Sequence, residues 1–238
     1  STLFPYTTLF RSEGENGGVE TGVENPLTGV KLALPDVDLT VENIFNLPSE
    51  HIGPVHMLQL QQRILAAKQA FDGVVITHGT DTLEETSFFL DSTLAVDFPI
   101  VMTGAMRSSN ELGSDGLYNY HSALRVAAHD DSRHRGVLVV MNDEIHAARF
   151  VTKTHTTNVA TFGSPISGTM GLLTKHQIIY FYDLPQRHVL PINSVAQNIP
   201  VLKAYAGMDG QLLELLAAAK IDGIIIEALG AGNLSKEA

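Results

Sequence analysis

The 238-residue sequence contains no cysteine, which removes disulfide frameworks, thiolate nucleophiles and Cys-ligated zinc or iron–sulfur centres. It is also short of positive charge: 15 Lys and Arg against 26 Asp and Glu give a formal net charge of −11. A field of that sign repels phosphate backbones, so no nucleic acid and no anionic membrane surface is expected as a general partner. Long apolar runs are missing too. The longest candidates, such as Val137–Met141 and Ile224–Ile226, are strand-sized, against the roughly 18–20 residues that span a bilayer. There is no HExxH, no Walker A, no GxGxxG after a strand and no GxSxG elbow, so phosphoryl and dinucleotide chemistry lack support. The pairs His51/His56 and His129/His134 are five apart, on different helical faces rather than the shared face of i, i+4 ligands, and no metal site is expected. What is present, 44% hydrophobic and 17% charged residues, describes a globular chain of one large domain or two small ones, suited to small-molecule work.

Ser1–Ser12 (STLFPYTTLFRS) has neither clear strand alternation nor helical periodicity. Back-translated, it matches a widely used short-read sequencing adapter, and it is expected to be an assembly artefact outside the fold. The chain also stops just after a strand and a Gly-rich turn, at Ser235–Ala238, so both ends read as cut. Residues 13–182 are expected to form an N-terminal domain without its first strand. Asp183–Asn198, with Pro185 and Pro191, reads as a linker, and 199–238 as part of a second α/β unit.

Clear periodicity starts at Pro54, which suits a first helical turn. Met57, Leu60, Ile64, Ala67 and Phe71 then form a core-facing stripe. The apolar run Gly73–Thr77 reads as a strand, and Thr82-x-x-Glu85 as a capping box opening a helix with Leu83, Thr86, Leu90 and Leu94 on one face. Strand Ile100–Thr103, helix Asp115–His129 (Leu117, Tyr120, Leu124, Ala127) and strand Val137–Met141 repeat the pattern. Strands apolar on both faces alternating with helices predict an α/β fold with a mostly parallel sheet. A helix, Asp-Gly turn and buried strand recur at Ile64–Ile76 and Leu215–Ile226, a likeness that any αβ unit shares.

Ligands of open parallel sheets sit beyond the carboxyl ends of the strands. Three loops there are loaded with chemistry. Thr77-His-Gly-Thr-Asp-Thr82 packs hydroxyls, a carboxylate and an imidazole at a helix start, and a cap accounts for only one such oxygen. Gly104-Ala-Met-Arg107 follows the second strand. Met141-Asn-Asp143 follows the third and leads to Val151-Thr-Lys-Thr-His-Thr-Thr157, which sets Lys153 among four threonines. A desolvated lysine can act as a base, so Thr80, Asp81 and Lys153 form a candidate nucleophile–base–orienter set.

Thr77–Thr86, Gly104–Arg107, Val137–Asp143, Val151–Thr157 and Gly230-Ala-Gly-Asn-Leu234 together resemble the bacterial-type L-asparaginases, in order and spacing, over roughly Glu13 to Leu234. The resemblance implies a flavodoxin-like N-terminal domain, a smaller α/β C-terminal domain, a homotetramer and no cofactor. It implies hydrolysis of L-asparagine, with L-glutamine a second candidate, to the acid and ammonia through an acyl-enzyme. Thr80, Asp81 and Lys153 match the family's second catalytic triad. Asp81 would hold the substrate's α-ammonium, Ser49 and Glu50 its α-carboxylate and amine, and Thr80 N–H would help form the oxyanion hole. Ala105 would lie beside the leaving amide, and Asn233 would reach the neighbouring subunit's site.

The family's attacking threonine, on a Thr-Gly-Gly-Thr segment of the first strand, has no counterpart, and its lid tyrosine is not found between Ser12 and Glu50. Loss of a nucleophile can cost about 10⁶ in rate, so the 238-residue chain is expected to be nearly inert. The alternatives are an ammonia-supplying subunit of a tRNA-dependent amidotransferase and a non-catalytic amino-acid-binding module.

Overall fold

The computed structural model describes residues 36–185, 188–196 and 198–238, residue 34, and the backbone of 2–7, 11–13 and 19–21. The chain divides into two compact units, Ser1–Ile192 and Asn193–Ala238, and the division falls inside the stretch read as a linker.

The first unit opens with strands β1 (Thr2–Thr7), β2 (Arg11–Glu13), β3 (Val19–Thr21), β4 (Asp38–Leu39) and β5 (Glu42–Asn43). Helix α1 (Pro54–Ala67), strand β6 (Gly73–Thr77), helix α2 (Leu83–Thr93), strand β7 (Ile100–Thr103), helix α3 (Gly116–Ala127) and strand β8 (Val137–Met141) follow. Then come β9 (Glu144–Ala147), β10 (Thr152–Lys153), β11 (Phe162–Gly163), β12 (Gly171–Leu173) and β13 (Ile178–Tyr180). The main sheet runs β13-β12-β9-β8-β7-β6-β1-β4, with β5 also pairing β1. It is parallel from β4 to β8 and antiparallel from β8 to β13. The mixed α/β class with a mostly parallel sheet is as the alternation predicts.

Strands β6, β7 and β8 are buried along their whole length, and their two-residue side-chain period feeds two cores. Val74, Ile76, Ile100, Met102, Val137 and Val139 face α1 and α2. Val75, Val101, Leu138 and Val140 face α3 through Tyr120, Ala123, Leu124 and Ala127. The three strands are adjacent and in chain order, yet the crossovers α2 and α3 cover opposite faces. The two crossovers therefore have opposite hands, so one departs from the right-handed rule that nearly all such units obey. Because β6 and β7 are parallel, the loops that follow them lie at one sheet edge.

Several expectations change. The segment expected to lie outside the fold contains β1, which runs parallel to β6 with Leu3 opposite Gly73 and Thr7 opposite Thr77. Its threonine, aromatic and leucine content suits a strand. The pairings with β4 and β5 skip Phe4 and Pro5, so the missing N–H of Pro5 costs no ladder bond on that side. Helix α1 stops at Ala67, and Phe71 packs on the core from beyond it. In α3, Leu117 is exposed; the first turn meets the neighbouring loops through buried Asn119. After β8 the chain reverses through Asn142 and Asp143, both left-handed (φ 50° and 64°), a two-residue hairpin turn that makes β9 antiparallel.

The second unit holds β14 (Val201–Lys203), α4 (Gln211–Ala218) and β15 (Ile225–Glu227), with the two strands parallel. No residue of α4 is buried, and Val201, Leu215 and Ile225 are more than half exposed. An apolar surface of this kind drives association. Light scattering from the 238-residue chain should rise with concentration, whereas a monodisperse sample at high concentration would contradict this expectation. Among the described residues no helix is long and apolar enough to cross a membrane.

Candidate active site

The loop after β6 is shaped by two glycines. A Cβ on Gly79 would lie 2.6 Å from Ser49 Oγ, and one on Gly104 2.6 Å from His78 O. Only hydrogen at these positions lets the Ser49 turn, the β6 loop and the β7 loop meet. His78 is 2% exposed. Its Nδ1 lies 2.6 Å from Gly79 O, which can only accept, so Nδ1 carries the proton and Nε2 accepts from Thr86 Oγ1 at 3.0 Å. Burial pushes the ring down to about 4, so it is a neutral brace for the loop.

Thr82 departs from the expected capping box. Its side chain makes no cap hydrogen bond and instead donates to Ser49 O at 2.6 Å, while Asp81 N–H donates to Ser49 Oγ at 3.3 Å. The buried Ser49 thus stands directly behind the Thr80–Asp81 loop, and Glu50, on the same short 3₁₀ turn, is exposed.

Thr80, Asp81 and Lys153 converge although more than 70 residues separate the lysine from the other two. Lys153 Nζ donates to Thr80 Oγ1 at 3.0 Å and to Asp81 Oδ1 at 2.8 Å. The lysine side chain is 17% exposed and the aspartate 50%. The three border a cavity of about 220 Å³ at the carboxyl ends of β6 and β7, together with His78, Ala105 and Thr156. Such a volume suits an amino acid rather than a larger ligand. Ser49 and Glu50 do not line this cavity, and Asn233, in the second unit, donates to Gly230 O at 2.8 Å. Among the described residues no group of His, Asp or Glu side chains is arranged to hold a metal ion.

A second, larger and mostly apolar cavity lies along α1 and α2 between Met57, Phe88, Phe89, Val151, Leu190 and Ile192. Although Glu84, Glu85 and Arg149 border it, most of the surface it exposes is apolar, so the polar cavity is the better seat for chemistry.

A model of the asparaginase N-terminal region matches residues 8–186 of this chain. The chain belongs to the asparaginase family. It is 33% identical over 231 residues to an L-asparaginase of Bacillus licheniformis, covering 95% of this chain and 72% of the relative. It is 38% identical over 224 residues to L-asparaginase 2 of Escherichia coli K12 (91% and 64%). A glutaminase-asparaginase of Pseudomonas fluorescens is 33% identical over 226 residues (92% and 62%). The chain thus spans about two thirds of the length of these curated relatives.

Three polar side chains of this asparaginase-family chain support the site without having stood out in the sequence. Asp115 accepts from the N–H groups of Met106 and Arg107 at 3.0–3.1 Å, so it holds the loop before its helix rather than capping α3. Asn119, 1% exposed, donates to Gly104 O at 3.1 Å and to Asp115 Oδ2 at 3.0 Å, and accepts from Asn142 N–H at 3.1 Å. One amide thereby joins the loops after β7 and β8, beside Ala105. Glu84, on the first turn of α2, accepts from Lys153 N–H at 2.6 Å. A helix-start carboxylate is an ordinary complement to the helix dipole, so spacing alone gives no sign of a long-range partner.

Proposed function

We propose that the protein acts on L-asparagine, giving L-aspartate and ammonia, and that Thr80, Asp81 and Lys153 form the proton-handling part of its site. The observation that carries this reading is the placement of Lys153 Nζ between Thr80 Oγ1 and Asp81 Oδ1 on an amino-acid-sized cavity. As an ammonium, Lys153 donates to both; after losing a proton it can accept that of Thr80. Lys153 occupies one oxygen of Asp81, and the carboxylate's other oxygen can take the α-ammonium of a ligand. Thr80 N–H contributes to an oxyanion hole and Ala105 faces the departing amide, while Ser49, buried behind the loop, acts on the ligand only through Asp81, whose N–H its hydroxyl accepts.

In the reaction a hydroxyl oxygen attacks the side-chain amide carbon. The C–N bond then breaks as the nitrogen takes up a proton and leaves as ammonia, and water cleaves the resulting ester. Family resemblance assigns the attack to a threonine of a Thr-Gly-Gly-Thr segment, and no such segment occurs among the 238 residues. This chain is therefore proposed to bind the amino acid while turning over poorly. L-Glutamine is a second ligand, since one methylene changes discrimination by only about 1–3 kcal/mol; one relative is named a glutaminase-asparaginase. A homotetramer in which Asn233 serves the neighbouring site belongs to the same proposal.

The test combines thermal shift and ammonia detection on the 238-residue chain. L-Aspartate and L-asparagine should raise the melting temperature, D-aspartate should do so much less, and ammonia should stay at a trace. No stabilisation by either L-amino acid would contradict the binding reading. Vigorous ammonia release would contradict the assignment of the attack to a residue outside the Thr80 set.

A further inference from the structure

We propose that Glu84 is a positioning residue that sets the reach of Lys153, an inference that rests on Lys153 being the proton-handling group. Lys153 sits on β10, which among the described residues pairs only with β11, in a two-stranded sheet separate from the main one. Main-sheet pairing therefore does not fix its distance from the β6 loop. A lysine stem of four methylenes adds further freedom, yet Nζ lies within hydrogen-bond range of two partners on that loop.

The missing constraint is supplied from α2. Thr80 and Asp81 lie in the loop leading directly into that helix, and Glu84 is on its first turn. The Glu84 carboxylate takes the backbone N–H of Lys153 at 2.6 Å across 69 positions of sequence. Charge-assisted bonds of this kind are short and strong. Both halves of the Thr80–Lys153 contact are thus referenced to one rigid helix: the hydroxyl by chain continuity, the amine by a carboxylate that holds the lysine backbone. A shift of about 1 Å in β10 would stretch the 3.0 Å Nζ contact beyond use.

The test is trace acetylation of Lys153 with acetic anhydride at a single pH, read by mass spectrometry against the exposed Lys175 in the same molecule, in the 238-residue wild type and in E84Q, E84A and E84D. Wild-type Lys153 should label slowly. E84A, which removes the acceptor, should raise its relative labelling about tenfold. E84Q keeps an acceptor of the same reach and should stay near wild type; E84D, one methylene shorter, should behave like E84A. Unchanged labelling in E84A, or E84Q labelling as fast as E84A, would overturn the proposal. If E84A fails to fold, the contrast between E84Q and E84D decides the matter in the same way. L-Aspartate binding by the wild type is measured alongside: its absence would sink the proposed function while leaving the labelling result to judge Glu84.

Discussion

Replacing Asp91 by alanine should cost the first unit about 3–5 kcal/mol, read as a drop in its urea midpoint. Asp91, on α2, is 4% exposed. One carboxylate oxygen accepts from Val137 N–H at the start of β8 at 2.8 Å, and the other accepts from Nε and Nη2 of Arg149 at 3.3 and 3.2 Å. The substitution leaves a guanidinium with 21% side-chain exposure facing a vacated space and strands a buried backbone donor, and both penalties are large. Asp91→Asn keeps an oxygen for Val137 and should lose clearly less. A loss below about 1 kcal/mol in Asp91→Ala would mean that the pair is a surface-grade interaction. Arg149 lies four residues before Lys153, so the same substitution should also weaken ligand binding.

Acid should destabilise the fold well before the carboxylates titrate. His78 and His146 both have ring pKa values lowered by burial from 6.5 to about 4. A depressed native pKa means that the unfolded chain binds a proton first. The stabilising contribution is full above about 6.5 and shrinks as pH falls toward 4, by about 2–3 kcal/mol for each histidine. His146 is the sharper case. Its Nδ1 lies 3.0 Å from Ser164 Oγ, but its buried Nε2 makes no directed hydrogen bond although Glu144 Oε2 is 3.2 Å away. That oxygen also accepts from Thr169 Oγ1 at 3.3 Å, and burial outweighs its attraction, so the ring stays neutral. Glu85 works the other way: burial raises its pKa, so acid relieves a smaller penalty there. Urea midpoints should fall between pH 7 and pH 4.5, and His146→Gln should flatten the slope. A flat profile in the wild type would contradict the account.

The elements that periodicity revealed are those whose partners lie within the same αβ unit. Strands Gly73–Thr77, Ile100–Thr103 and Val137–Met141 match their expected limits because a β-branched run buried on both faces has no other stable use. What escaped depends on distant pairing. The strand at Thr2–Thr7 takes its order from β6, some 70 residues away. Thr82 gives up its cap for Ser49, 33 residues back. Local spacing weighs neither.

The site divides the same way. Thr80, Asp81 and Lys153 were visible because polar side chains crowd short loops at strand ends, where sheet geometry already directs attention. Asp115, Asn119 and Glu84 escaped because each has an ordinary helical explanation, and only the folded chain brings their carboxylates and amide to another loop's backbone.

The central claim is that this cavity binds an α-amino acid through Asp81 beside the Thr80–Lys153 pair. Isothermal calorimetry of L-aspartate against the 238-residue wild type and its Asp81→Ala variant tests it most directly. Measurable one-site binding is expected in the wild type and a loss of about 100-fold in the variant, the scale of one charge-assisted contact. Equal affinity in both proteins, or no heat from the wild type, would contradict it.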